Sequence, residues 1–260
     1  MMRRLAPYQT GLWLAEYVDI RCQLCRVFRS MSHSQILPAH HLRFLNIRQK
    51  IAQRLNSGLL CAHCHHSIAW LPEAFEVDIA AGTALSIQAA TYYDYPIRQA
   101  TRAFKHHEDM TKLPLLLHVL RQLPRPHGCH SDNSVIIAMP TTEQRLVKRG
   151  FDPVSILAVQ LSKHWQIPLW HGVKRIDNTL SQQGLTRAER LRNLDNAFAL
   201  VEKPPVKRLL LFDDVATTGA SLQALSRALY GESTGSLTTD HHVSHQYLLS
   251  AYALAHGSQS

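Results

Sequence analysis

The stretch that most constrains this chain is Arg208-Leu209-Leu210-Leu211-Phe212-Asp213-Asp214-Val215-Ala216-Thr217-Thr218-Gly219-Ala220-Ser221, followed by Leu222, Leu225 and Leu229 at helical spacing. A short apolar run ended by turn residues reads as a buried strand, and the spaced leucines read as one face of a helix. Between them stand two carboxylates and a Thr-Thr-Gly turn. A turn of small residues that opens a helix aims several backbone N–H groups and the positive end of the helix dipole at one spot, and the hydroxyls of Thr217, Thr218 and Ser221 add donors. Such a spot binds phosphate. Asp213 and Asp214 fall at the carboxyl end of the expected strand, where open α/β sheets hold ligands. Beside a phosphate they suit sugar hydroxyls, as acceptors, or a hydrated Mg²⁺. Ordinary helix capping explains one Asp or Thr but not the whole succession.

The rest of the chain supplies the sheet such a strand needs. Strands are expected at Ile87–Tyr93, Ser134–Met139, Ala197–Val201, Arg208–Phe212 and Tyr247–Ala253, with helices at Ile97–His106, Thr111–Gln122, Pro153–His164, Arg187–Leu194 and Ser221–Leu229. Alternation of this kind predicts an α/β fold, a mostly parallel sheet with helices on both faces. A division near residue 75 separates this region, 76–260, from an N-terminal module, 1–75. The module contains a further helical pattern over Leu45–Leu55. Arg175–Arg192 is polar and reads as a loop running into a short helix, and Glu232–His245 reads as a surface loop.

With 260 residues, 45% of them hydrophobic, the chain can bury a core. No apolar run approaches the ~20 residues of a membrane span, and the first residues lack a signal-like apolar core, so a cytoplasmic protein is expected. Lys and Arg exceed Asp and Glu by 28 to 19, a formal charge of +9. That excess calls for an anionic partner.

Four of the five cysteines form two CxxC pairs, Cys22 with Cys25 and Cys61 with Cys64. Each pair can bring two thiolates to one side of a tetrahedral Zn²⁺, and two pairs complete a closed structural site. Redox pairs or disulfides are the alternative, disfavoured in the cytoplasm. Cys129 is left over as a free thiol. Arg21, Arg26, Arg29, Arg43, Arg48, Lys50 and Arg54 lie around the cysteines with Phe28, Phe44 and Trp70. Cations interleaved with aromatics suit single-stranded nucleic acid, and they equally suit a small metal-stapled module with a solvated basic surface.

The string from Asp213 to Ser221 resembles the phosphoribosyl pyrophosphate (PRPP) binding motif of type I phosphoribosyltransferases. Further stretches narrow the resemblance to the ComF (ComFC or GntX-like) family, associated with DNA uptake in competent bacteria. These are the two CxxC pairs; Tyr95-Pro96-Ile97-Arg98 followed by Phe104-Lys105; Met139-Pro140 running to Arg149-Gly150-Phe151; and the series Arg175, Thr179, Gln182, Leu185, Arg190, Asn193, Phe198. The resemblance runs to about Leu229.

That resemblance implies a phosphoribosyltransferase-type domain behind a zinc-binding module, PRPP bound with Mg²⁺, and a role with single-stranded DNA and competence-machinery proteins in natural transformation. Asp213 and Asp214 would bind the ribose hydroxyls, and Ala216, Thr217, Thr218, Gly219, Ala220 and Ser221 the phosphate. Pyrophosphate would lie on the loop Pro140-Thr141-Thr142, with Arg149 and its neighbours Arg145 and Lys148 supplying charge. Arg149-Gly150-Phe151 continues with Asp152-Pro153 where the family usually has Asn-Gln; Pro153 fits the first residue of a helix, with Asp152 as its cap.

Arg175–Asn193 corresponds to a loop that folds over PRPP, where Arg187 or Arg190 would stabilise the departing pyrophosphate; Arg190 also suits an ion pair with Glu189. Asp213, Asp214 and Arg190 are therefore the candidate catalytic residues. Purine-salvage relatives carry an acidic base at the position of Thr217, and threonine is no base near neutral pH. The readings left open are turnover with an acceptor that needs no deprotonation there or with a base from elsewhere, a non-catalytic PRPP-responsive nucleic-acid binder, and a nucleobase-salvage enzyme, which Thr217 disfavours.

Overall fold

The computed structural model describes residues 22–28, 30, 59–80, 82–176, 197–234 and 247–257. Two compact units are distinguished among them: the described residues up to Ala69 with Tyr95–His118, and Trp70–Asp94 with the described residues from Val119 onward. The strands in chain order are β1 (Phe75–Ala80), β2 (Thr83–Tyr92), β3 (Ser134–Ala138), β4 (Val173–Arg175), β5 (Phe198–Leu200), β6 (Arg208–Ala216) and β7 (Leu248–His256). The helices are α1 (Ala62–His66), α2 (Ile97–His107), α3 (Leu113–Leu120), α4 (Glu143–Arg149), α5 (Pro153–Trp165) and α6 (Ala220–Thr234).

The main sheet has the order β1-β2-β7-β6-β3. Neighbours from β2 to β3 run parallel, and only the edge strand β1 is antiparallel to its partner. The fold is thus a mixed, mostly parallel α/β sheet. Val135, Ile136, Ile137 and the run Leu209–Phe212 are buried. Strands covered on both faces lose the apolar-polar alternation, which is why β3 and β6 read as continuous apolar runs.

Two helices of the same unit cover opposite faces. In α5 the carboxylate of Asp152 accepts from the N–H groups of Val154 and Ser155, and Pro153 takes the first helical position. Its buried stripe, Val154, Leu157, Ala158, Leu161 and Trp165, packs on β3 and β6, and Trp165 meets Tyr252 of β7 edge-on at 4.9 Å. The start of α6 lies instead against Ile87, which shares its face with Ala251 through the parallel register. Tyr252 and Ala251 are successive residues, so they point to opposite sides.

Several differences from the sequence reading have physical causes. β6 does not stop at Phe212 but pairs with β7 as far as Ala216↔His256, so the two aspartates lie inside a strand. β5 leaves the main sheet and forms an antiparallel pair with β4. β1 and α4 were not anticipated: β1 is a half-exposed edge, and no residue of α4 is buried, so neither carries a strong apolar pattern. The helix expected over Thr111–Gln122 is a 3-10 turn, Met110–Lys112, followed by α3. The helices expected at Leu45–Leu55 and Arg187–Leu194 lie outside the described residues.

Gly219 connects sheet to helix. Its φ is +73°, and a Cβ there would stand 2.6 Å from Ile87 Cδ1 and 3.0 Å from Val77 Cγ1. Gly150 has a similar φ, +74°, but open space around it. The left-handed backbone alone costs an alanine about 1 kcal/mol, and overpacking adds ~1–3 kcal/mol. Urea unfolding should therefore show Gly219→Ala losing about 3 kcal/mol and Gly150→Ala about 1 kcal/mol; equal losses would disprove the packing role of Gly219.

Candidate functional site

The candidate anion cradle is built where β6 passes into α6. After Ala216 the chain turns through the exposed Thr217 and Thr218 to the buried Gly219, whose carbonyl accepts from Gln223 N–H and so starts the helix. Thr218 Oγ1 accepts from Ala220 N–H at 3.4 Å. Ala220 and Ser221, both half-buried, occupy the first turn of α6. The sequence-predicted residues Ala216 to Ser221 are thus one continuous strand end, turn and helix start, with donors gathered as an anion requires.

The two aspartates differ in setting. Strand alternation puts their side chains on opposite faces of β6. Asp214 is buried, whereas Asp213 is half-buried and accepts from the Asp214 backbone N–H at 2.8 Å. Through Asp213↔Ala253, Asp213 shares the face on which α6 begins.

The loop after β3 carries the predicted pyrophosphate residues. Met139 N–H donates to Phe212 O at 2.8 Å, holding this loop beside β6. Thr141 is half-buried, and Thr142 is the N-cap of α4, accepting from Arg145 N–H at 3.2 Å. Arg149 is half-buried, and Arg145 and Lys148 are exposed. Asp152 and Pro153 are spent on starting α5. Arg175 ends β4 with its guanidinium 5.4 Å from the centre of the Phe198 ring. Arg187 and Arg190 lie outside the described residues.

Sequence reasoning missed one neighbour of the cradle. Gly257 N–H and His256 Nδ1 both reach Ala216 O, at 2.9 and 3.0 Å. A Cβ on Gly257 would stand 2.6 Å from Thr217 Cγ2, so β7 ends directly against the turn. The available signal was a histidine closing an apolar strand just before a glycine, hidden among 17 histidines.

In the first unit Cys22, Cys25, Cys61 and Cys64 come together with their sulfurs within 4.8 Å of one another. Cys61 caps α1 and accepts from Cys64 N–H at 3.5 Å; the turn from Cys22 to Phe28 is closed by Cys22 N–H to Phe28 O and by Arg26 N–H to Cys22 O. All are free thiols, and Cys22, Cys61 and Cys64 are buried. Tetrahedral Zn–S bonds of about 2.3 Å imply sulfurs about 3.8 Å apart, and Cys25 and Cys61 are 3.8 Å apart.

Backbone hydrogen bonds from Phe28 and Val27 hold the Cys25 thiol down at about 6. Burial, then the neighbouring cysteines, push the Cys64 thiol far up. Four adjacent thiols cannot all ionise without a cation among them, so the donor set fits a structural zinc site. Cys129 is free too, 3.9 Å from Arg208.

Comparison with known proteins finds relatives over part of this chain. Competence protein F of Haemophilus influenzae is 34% identical over 146 residues, 53% of this chain and 63% of that protein. The similarity to competence protein F thus covers about half of this chain. DNA utilization protein YhgH of Shigella flexneri is 33% identical over 96 residues, covering 36% of this chain and 42% of that protein; its Escherichia coli K12 counterpart is 32% identical over 96 residues. The chain therefore spans less than two thirds of the curated relatives it matches. No family model matches it. Among the described residues, no helix is long and apolar enough to cross a membrane.

Proposed function

We propose that this chain is a cytoplasmic, PRPP-binding, phosphoribosyltransferase-like protein that acts on incoming single-stranded DNA during natural transformation. The carrying observation is the junction from β6 to α6, where two carboxylates precede a Thr-Thr-Gly turn whose glycine has neither the backbone angle nor the space for a side chain. The ComF relationship supports the setting, since one relative is named for competence and others for DNA utilization.

In this reading the turn from Thr217 to Ser221 holds the sugar phosphate, the aspartates accept from the ribose hydroxyls, and Thr141, Thr142 and Arg149 face the pyrophosphate. Mg²⁺ bound with PRPP would neutralise charge on the leaving group. Where turnover occurs, pyrophosphate leaves the anomeric carbon, and Arg190 is the candidate cation beside it. Loss of one hydrogen-bonded carboxylate costs roughly 2 kcal/mol, about thirtyfold in affinity. Calorimetry with PRPP and Mg²⁺ should show binding that weakens 10- to 100-fold in Asp213→Asn. No heat with the wild-type protein, or unchanged affinity in the variant, would disprove this site.

The cysteine cluster is proposed to hold structural Zn²⁺ and to staple the ends of the N-terminal module. Protein purified under reducing conditions should carry one zinc per chain, and Cys22→Ala should abolish that metal and lower the melting temperature. A metal content near zero would remove the assignment.

Single-stranded DNA is proposed to meet the basic N-terminal region. Phe28, 59% exposed, and Val27, 73% exposed, are apolar side chains open to solvent beside the cysteines. They offer stacking and packing surface to unpaired bases. Affinity for an oligonucleotide should fall linearly in log-log plots against salt, and Phe28→Ala should weaken it about fivefold to a hundredfold. Salt-independent binding, or no effect of the substitution, would count against it.

A further inference from the structure

The phosphate cradle lacks a base at Thr217, and its closest titratable neighbour on β7 is held in one specific state. His256 Nδ1 lies 3.0 Å from Ala216 O. A carbonyl oxygen can only accept, so Nδ1 carries the proton and donates. In the neutral ring Nε2 is then the nitrogen with the lone pair. The ring is further held by Phe75, whose centre is 4.4 Å away, and by Tyr92 at 6.2 Å. It is only half-buried, and Tyr92 is 37% exposed. β2, β7 and β6 run parallel, so Tyr92, His256 and Ala216 all stand at the carboxyl edge, in register with one another. Ala216 directly precedes Thr217, and a Cβ on Gly257 would run into the Thr217 side chain.

We propose that His256 is the proton acceptor of the cradle, doing from β7 what the Thr217 position cannot do from the turn. The inference rests on the PRPP reading. The acceptor is a flat heteroaromatic N–H compound, since Phe75 and Tyr92 give the imidazole an aromatic wall that suits a planar ring. Its nitrogen forms the new bond to the anomeric carbon as the bond from that carbon to pyrophosphate oxygen breaks. The bonding pair leaves with pyrophosphate, and the proton of the N–H passes to His256 Nε2, giving an imidazolium whose Nδ1–H still donates to Ala216 O. A fixed tautomer spares the ring any reorientation before transfer.

The test uses the full chain, PRPP with Mg²⁺, and adenine, guanine, uracil and orotate in turn as nucleophile. Calorimetry comes first: His256→Asn keeps an N–H donor where Nδ1 stands, and it and His256→Ala should bind PRPP within about twofold of wild type. Pyrophosphate release should fall by a factor of about 10² to 10⁴ in both variants. Added imidazole should restore part of the rate in His256→Ala, which a structural role for the ring would not allow. Wild-type release in either variant, failure of imidazole to restore any rate, or a wild-type protein that binds PRPP but releases no pyrophosphate with these nucleophiles would overturn the proposal. Failure of the wild-type protein to bind PRPP at all would instead overturn the cradle reading, and the inference with it.

Discussion

The contact on which the candidate site depends is the close approach of Gly219 to Ile87, Val77 and Phe75. Strand β6 delivers two carboxylates at one end, and α6 must begin within three residues to put its N–H groups near them. That demands a left-handed residue pressed onto the sheet, and neighbours from β1 and β2 close in to within van der Waals distance of where a side chain would start. The edge strand β1 thus has a purpose beyond extending the sheet. It brings Val77 and Phe75 over the turn, and Phe75 reaches on to the ring of His256. The turn, the hairpin β1-β2 and the end of β7 are one packed assembly, so the geometry presented to an anion is set by apolar contacts beneath it.

Much of this was legible because the signals were local. Leu209–Phe212 is a continuous apolar run, Gly219 and the leucines after it mark a helix start, and Asp152-Pro153 is a cap followed by the residue best suited to a first helical position. The paired cysteines announced their cluster by spacing. What stayed hidden was non-local. Nothing in Ala197–Val201 tells that this segment pairs with β4 and not with the main sheet, and Asp213-Asp214 disguise the continuation of β6 because carboxylates are poor strand formers. Helix α4 buries no side chain, so no apolar stripe betrays it; its only marks are Thr142 at one end and Gly150 at the other.

The two candidate centres use opposite electrostatic strategies. The cradle sets neutral donors and a helix dipole beside two carboxylates, so an anion is met by dipoles and not by a fixed opposite charge. The cysteine cluster does the reverse. Its thiols are pulled apart in acidity, Cys25 downward by backbone donors and Cys64 upward by burial and its neighbours, and a cation removes the conflict. The first arrangement suits exchange of a ligand, the second a resident one.

The small β4-β5 ladder carries a consequence of its own. Arg175 pairs with Phe198, and Ile176 N–H donates to Ala197 O at 2.8 Å, so Ile176 and Ala197 stand side by side. A chain whose ends are already joined pays little to change its length, about 0.6 kcal/mol for each doubling. The ladder makes that join outside the main sheet. Residues added or removed between Ile176 and Ala197 therefore cost the fold little, and β6, Gly219 and the hairpin beneath them need not change with them.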